Sequence, residues 1–354
     1  MKLLSDLFRA TLLLAALSAH ALAEEGDPAL AKAAREAFAA RTKEAKTAAA
    51  VAGRDGWLFL TSELRFLSLN DFWGAGAAKV SRAPKADSAD PLEAIVDFQK
   101  QLKAKGIELL LVPVPPKAGI YPDKAVTGVA ADEKVTLAAL HRFYAELTAA
   151  GVEVLDLAPQ FAALCKSPEP NESPYCKTDT HWSPAGCQVA AKTIAAAVQK
   201  KLGPPPSGNP FAVNAASVAY ELEGDLGALL AKGSPKPAKE KIQLRQIVNK
   251  STGKGVESDP ASPVILMGDS HTLVFHEFAG ERAGLLDQLA LELGVAPELI
   301  GTRGSGSTPV RITLYRKSIK DPGYLAKKKV IVWCLTARDF TESDQGWAKV
   351  PIAK

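Results

Sequence analysis

Two short segments carry residue types that could do chemistry together: Asp179-Thr180-His181-Trp182 and Gly268-Asp269-Ser270-His271. A serine hydroxyl is a weak nucleophile until a neighbouring base takes its proton. Near neutral pH that base is a histidine. The chain has five histidines. His20 falls in the apolar N-terminal stretch and His141 in an ordinary helical pattern. His271 adjoins Ser270, so its ring should diverge from the hydroxyl. His276 lies on an expected following helix. His181 stands in a turn ahead of a capped helix, with Asp179 two residues back. From there Asp179 can accept from one ring nitrogen and leave the other as base. Asp269 is a poorer orienting acid, because it neighbours the serine and should point into the turn. Plainer readings stand beside these. Gly-Asp-Ser is also a common turn in which serine caps a helix. Asp179 and His181 also fit an Asx-turn carrying a surface histidine.

The elements around these segments decide whether they meet. Val264–Met267 is a short apolar run that stops at Gly268, the pattern of a strand buried on both faces. Ile107–Val114 and Val330–Leu335 read the same way, and Val152–Leu157 reads as a shorter strand. Helices are expected over Asp27–Ala50, Pro91–Lys105, Lys134–Ala149, Leu273–Ala279 and Gly284–Leu293. Another starts at Pro184 with Ser183 as its cap and runs to about Leu202. Strands alternating with helices define an α/β fold with a largely parallel sheet. In such sheets the functional loops follow the carboxyl ends of the strands. Lys117, Asp179, His181, Ser270 and Arg338 all follow strands, so a parallel sheet brings them to one rim.

The chain has 354 residues, 47% of them hydrophobic and 23% charged, with 43 Lys+Arg against 39 Asp+Glu. That is ordinary globular composition, and it excludes a disordered, collagenous or coiled-coil chain. A net charge of +4 over this length is no nucleic-acid footprint. Met1–Ala23 has the form of a secretory signal peptide cleaved after Ala23. Lys2 and Arg9 precede an apolar run that is short for a membrane span, and Ala21-Leu22-Ala23 is a small-x-small cleavage site. An uncleaved inner-membrane anchor is the weaker reading. Residues 24–354 are expected to form one domain, with a polar, Lys-rich insertion near Ser234–Ser262 that reads as solvated surface.

Export suits disulfides, and Cys165 and Cys176 bracket a Pro-rich loop they are expected to close. Cys187 and Cys334 read as buried thiols, though they too could pair. No cysteine has metal-site spacing, so neither metal nor cofactor is expected. Trp182 either stacks on a bound ligand or walls the core. Lys117 and Arg338 either hold a carboxylate of an acidic ligand or form rim salt bridges. The loop Gly301–Thr308, with Arg303, either lines the site or is simply a loop.

The Asp-x-His-Trp and Gly-Asp-Ser blocks, in that order, resemble the AlgJ/AlgX family of periplasmic alginate O-acetylation proteins. Weaker matches are Gly53-Arg54-Asp55-Gly56-Trp57-Leu58-Phe59, Val112-Pro113-Val114-Pro115-Pro116-Lys117 and Glu223-Gly224-Asp225-Leu226. The resemblance spans roughly Val51 to Phe340. It implies an SGNH-hydrolase-like fold with permuted block order, and Asp179, His181 and Ser270 as a triad that acetylates an exported polysaccharide. It also implies a membrane-bound O-acyltransferase partner supplying acetyl groups. The chain ends soon after Phe340, which reads as leaving no room for the carbohydrate-binding module of AlgX and makes it closer to AlgJ. Three functions remain: an O-acetyltransferase, an esterase using the same triad with water as acceptor, and a non-catalytic scaffold of a secretion complex.

Overall fold

The computed structural model describes residues 26–167, 172–216 and 218–353. The expected signal peptide lies outside the described residues. Among the described residues no helix is long and apolar enough to cross a membrane.

Five parallel strands make the central sheet, in the order β10-β9-β11-β3-β4. They are β3 (Glu108–Val114), β4 (Glu153–Val154), β9 (Val264–Gly268), β10 (Glu298–Gly301) and β11 (Val330–Thr336). Strand β11 is central: Val330 pairs with Glu108 on one side and Val264 on the other. All seven of its residues are buried, as are all five of β9. Their unbroken apolar runs are therefore explained by cover on both faces. Helix α3 (Pro91–Ala104) sends Phe98 against Trp333 of β11, with ring centroids 5.3 Å apart. The next residue, Cys334, points to the opposite face, where helix α5 (Pro184–Leu202) packs against β11 and β3.

Helix α5 starts where expected. Ser183 Oγ accepts from Gly186 N at 3.1 Å and Pro184 takes the first turn. Such a cap contributes about 1 kcal/mol. Helix α1 (Pro28–Glu44) stops short of Ala50 because the chain there enters the hairpin of β1 (Ala50–Ala52) and β2 (Leu58–Leu60). Helix α2 (Thr61–Leu67) follows the hairpin. The expected helix over Lys134–Ala149 breaks at Leu137, and only α4 (Ala138–Ala149) runs long.

No helix forms over Leu273–Ala279. A 3₁₀ turn covers Ser270–Thr272, and then Phe275 and Ala279 adopt φ of 63° and 56°. Phe275 N donates to Phe278 O and Ala283 N to Phe275 O, so the segment folds back on itself. Helix α6 (Leu285–Leu293) begins only after this turn. Helix α7 (Thr308–Lys320) has no clear apolar stripe in the sequence, because the residue it buries against Trp333 and Trp347 is Arg311.

The insertion is not simply solvated surface. Strand β5 (Phe211–Val213) pairs with β8 (Ile247–Asn249), and β6 (Val218–Leu222) with β7 (Glu240–Leu244). Ile242, Leu244 and Ile247 are buried. Strand β7 also carries Glu240 to the loop that holds Asp179.

Candidate active site

Strand β9 delivers Ser270. At its last residue, Gly268, a Cβ would lie 1.6 Å from Cys334 O, so only glycine lets β9 and β11 run this close at their exit. Asp269 caps the following turn. Its Oδ1 accepts from His271 N at 2.9 Å, and its Oδ2 accepts from Thr336 N, the end of β11, at 2.6 Å. Asp269 thus points into the turn, as expected, and fixes Ser270 against the sheet.

The chain after β4 passes through a short helix, Ala158–Leu164, and the loop beyond it supplies the other two residues. His181 Nε2 lies 2.8 Å from Ser270 Oγ, and His181 Nδ1 lies 2.6 Å from Asp179 Oδ1. A carboxylate can only accept, so Nδ1 carries the hydrogen and Nε2 faces the serine as acceptor. Asp179 Oδ1 also takes His181 N at 2.9 Å, and Oδ2 takes Asp225 N at 3.1 Å. Burial raises the Asp179 carboxyl, but the His181 hydrogen bond and charge and these two amides outweigh it and hold the group below its ordinary value. Asp179 and His181 are buried, while Ser270 is half-buried and reachable from solvent. Serine, imidazole and carboxylate in this order and spacing are what nucleophilic acyl transfer requires.

Several groups hold the Asp-x-His loop. The Glu240 carboxylate accepts from Lys177 N at 2.8 Å and from Thr178 N and Thr178 Oγ1, each at 2.6 Å. Asp225 accepts from Thr180 N at 2.8 Å and from the Thr180 hydroxyl. At Gly224 a Cβ would meet Thr178 O at 2.2 Å. The Glu-Gly-Asp-Leu block is therefore the clamp on this loop. Asp179, His181 and Asp225 each bring one donor atom within 4.8 Å of the others. Here those atoms bind one another and the loop amides.

Of the expected binding residues, Lys117 and Trp182 are buried, whereas Arg338 stays partly exposed. Lys117, expected at the rim, is buried; its Nζ donates to Lys177 O at 2.9 Å and Asp179 O at 3.0 Å. Burial pushes its ammonium down to about 8, despite the Glu63 charge nearby. Trp182 is fully buried and meets His271 edge-on at 5.1 Å, so it walls the core rather than a sugar. Arg338 is half-buried, with Nη1 donating to Thr336 Oγ1 at 2.8 Å and lying 4.0 Å from Glu63 Oε1. Arg303 lies one ring away from His181. Its guanidinium sits 4.5 Å over Phe278, whose ring meets His181 at 5.6 Å. The expected Cys165–Cys176 disulfide is not formed, and all four cysteines are free thiols. Cys176 Sγ turns inward and donates to Trp182 O at 3.7 Å.

Replacing Lys117 by Met should loosen the Asp179 loop, because Asp179 O loses its partner. Turnover of an activated acetyl ester should fall roughly ten- to a hundredfold through misplacement of His181, with KM little changed. A steady-state kcat and KM comparison checks this; a large rise in KM alone would return Lys117 to substrate binding.

The loop Gly301–Thr308 packs behind the serine turn. A Cβ on Gly306 would lie 2.8 Å from Asp269 N. Asp339 holds this loop, its Oδ2 accepting from Gly306 N at 2.8 Å and Ser305 Oγ at 3.0 Å. Burial, then the charge of Asp269, raises the Asp339 carboxyl to about 7. A raised carboxyl binds its proton more tightly folded than unfolded. Between an unfolded value of about 3.9 and about 7, stability from this group therefore falls as pH rises. Asp339→Asn keeps the acceptor oxygen and removes the charge. It should melt above the unmodified protein at pH 8, with the gap closing toward pH 5 in a thermal scan series.

A parallel five-stranded sheet flanked by helices, with this site at the carboxyl edge, defines an SGNH-hydrolase-like domain. Residues 50–308 match the family described as "SGNH hydrolase-like domain, acetyltransferase AlgX", and the chain belongs to that family. Among curated relatives, the probable alginate O-acetylase AlgJ of Pseudomonas aeruginosa is 28% identical over 156 residues, 42% of this chain and 33% of that protein. AlgJ of Pseudomonas putida is 25% identical over 316 residues, 84% of this chain and 73% of that protein. The chain thus spans from a third to about three quarters of the length of these relatives. The solved O-acetyltransferase domain of P. putida AlgJ superposes with a TM-score of 0.62 at 24% identity, covering 83% of this chain and 93% of that one. P. aeruginosa AlgX superposes at 0.58 with 19% identity, covering 82% and 64%. Both likenesses concern the fold.

Proposed function

We propose that this chain is a periplasmic O-acetyltransferase that moves acetyl groups onto hydroxyls of an exported polysaccharide, alginate or a similar polymer, through an acetyl-serine on Ser270. The observation that carries the reading is the 2.8 Å approach of His181 Nε2 to Ser270 Oγ, backed by Asp179 on the other ring nitrogen. The names of the relatives, alginate O-acetylases, support the substrate class. The leader-like Met1–Ala23 supports the compartment.

In the first half-reaction Ser270 Oγ attacks the acetyl carbonyl of a donor ester and gives its proton to His181 Nε2. The resulting imidazolium protonates the departing donor oxygen, and acetyl-Ser270 remains. In the second half, His181 takes the proton of an acceptor hydroxyl as that oxygen attacks the acetyl carbon. The proton then returns to Ser270 Oγ as the acetylated sugar leaves. Asp179 keeps the hydrogen on Nδ1 and stabilises the imidazolium in both steps. The Ser270 N–H, at the head of the 3₁₀ turn, is the proposed donor to the developing oxyanion. Arg303, exposed and stacked on the Phe278 ring that meets His181, suits an acidic acceptor. A membrane-bound O-acyltransferase is the proposed partner that delivers acetyl groups to the donor side.

The test is acceptor dependence. With an activated acetyl ester as donor, added acidic oligosaccharide should yield acetyl-sugar at the expense of free acetate, read by mass spectrometry. Free acetate as the only product with every glycan offered would make water the acceptor and the chain an esterase.

A further inference from the structure

The Gly53–Phe59 motif plays no part in the triad, yet it builds a separate concave site. Helix α1, the β1–β2 turn and residues Lys124–Thr127 enclose a groove of about 410 Å³. That is within the usual range for a small-ligand site. Three cations line it: Arg41, Arg54 and Lys124. Two are already neutralised. Arg41 pairs with Glu44 at 2.7 Å, and Lys124 pairs with Asp55 at 2.7 Å and Asp123 at 3.4 Å. Arg54 differs. Among the described residues no carboxylate lies within ion-pair distance of it; its Nη2 donates to Thr127 Oγ1 at 3.0 Å.

The backbone under Arg54 is tightly built. Gly53 N donates to Trp57 O at 2.7 Å and Trp57 N to Arg54 O at 3.0 Å, closing the turn. Asp55 and Gly56 take φ of 54° and 79°, the left-handed pair that two-residue hairpin turns need. Arg54 N donates to Lys124 O at 2.9 Å, and a Cβ on Gly53 would meet that same oxygen at 2.3 Å. The turn is thus pinned to one wall of the groove. It fixes an exposed guanidinium whose remaining N–H donors suit a bidentate carboxylate.

The groove is also tied to the catalytic loop. Four residues beyond Arg54, Leu58 N donates to Lys177 O at 2.9 Å, two residues before Asp179. We propose that the Arg54 groove is a second binding subsite, taking a carboxylate of an acidic oligosaccharide while another part of the same chain lies at Ser270. The proposal rests on the acetyltransferase reading for its ligand, a polymer with carboxylates at regular intervals.

The test is isothermal titration of the full chain, without donor, using a uronate oligomer, a neutral oligosaccharide of equal length, and inorganic phosphate. Arg54→Ala should weaken uronate binding about tenfold, the loss of one charged bidentate contact. Binding of the neutral oligomer should not change, and phosphate should not compete. Thr127→Val, which removes only the orienting hydroxyl, should weaken uronate binding less. Hydrolysis of an activated acetyl ester without acceptor should be unchanged in both variants, showing that fold and triad are intact. Equal uronate affinity in Arg54→Ala and the unmodified chain would overturn the subsite. So would equal loss for the neutral oligomer, absence of uronate binding, or phosphate competing at similar concentration. None of these outcomes touches the Ser270 chemistry, which the acceptor-free ester assay reads separately.

Discussion

Ser270→Ala should reduce acetyl release from an activated ester, and acetyl transfer to any glycan, to background. The change removes one hydroxyl whose only side-chain hydrogen-bond partner among the described residues is His181 Nε2. Asp269, not Ser270, caps the turn, so no cap is lost. The melting temperature should therefore shift little, while the nucleophile disappears. His181→Ala should be nearly as damaging. The double variant should be no worse than either single, because members of such a unit do not contribute additively. A double-mutant comparison of ester hydrolysis checks both points. Substantial activity in Ser270→Ala would remove both enzyme readings and leave the scaffold.

Asp179→Asn should cost roughly three to four orders of magnitude in kcat with the fold retained. The amide still occupies the space between His181 and Asp225, but it has one acceptor oxygen where the carboxylate has two. His181 Nδ1, His181 N and Asp225 N all donate to the carboxylate now. Turning the amide nitrogen toward Nδ1 would select the wrong tautomer; turning the oxygen there would leave Asp225 N facing a donor. Either way the imidazolium loses its counter-charge. The Asp179 carboxyl is held below its ordinary value, so it also contributes to stability. That contribution is present above the unfolded value of about 3.9 and is lost as pH falls through the lower folded value. The unmodified protein should therefore lose stability over that acid window, and Asp179→Asn should lose less of it. Thermal scans at descending pH read the difference.

The residues of the site were legible in the sequence because local rules place them. Gly268 stops an apolar strand, Asp179 sits two residues from His181, and Ser183-Pro184 starts the next helix on a cap. Each is a short-range pattern. The unbroken runs of β3, β9 and β11 likewise announce strands covered on both faces. What stayed hidden depends on burial, which spacing does not carry. Lys117 reads as a free cation at a strand end, yet the chain closes over it and turns it onto two carbonyls. Trp182 beside a proposed base fits a sugar platform until it is seen fully buried, edge-on to His271. Glu240 lies in a Lys-rich stretch that looks like plain surface, and only the pairing of β6 with β7 brings it under Thr178. Helix α7 has no sequence signature for a related reason: its inward face carries Arg311, which the rings of Trp333 and Trp347 cover. The cysteines at either end of the Pro-rich loop suggested a covalent tie, but Cys176 is drawn inward to Trp182 O instead.

Direct trapping of the covalent intermediate tests the central claim. The full chain is mixed briefly with an activated acetyl ester in the absence of acceptor, quenched in acid, digested and mapped by mass spectrometry. One acetyl group should appear on the peptide bearing Ser270, should be absent in Ser270→Ala, and should disappear from the unmodified protein when an acceptor oligosaccharide is added before the quench. Acetyl turnover with no label on that peptide at any mixing time, or a label that persists equally in Ser270→Ala, would contradict an acetyl-serine at Ser270.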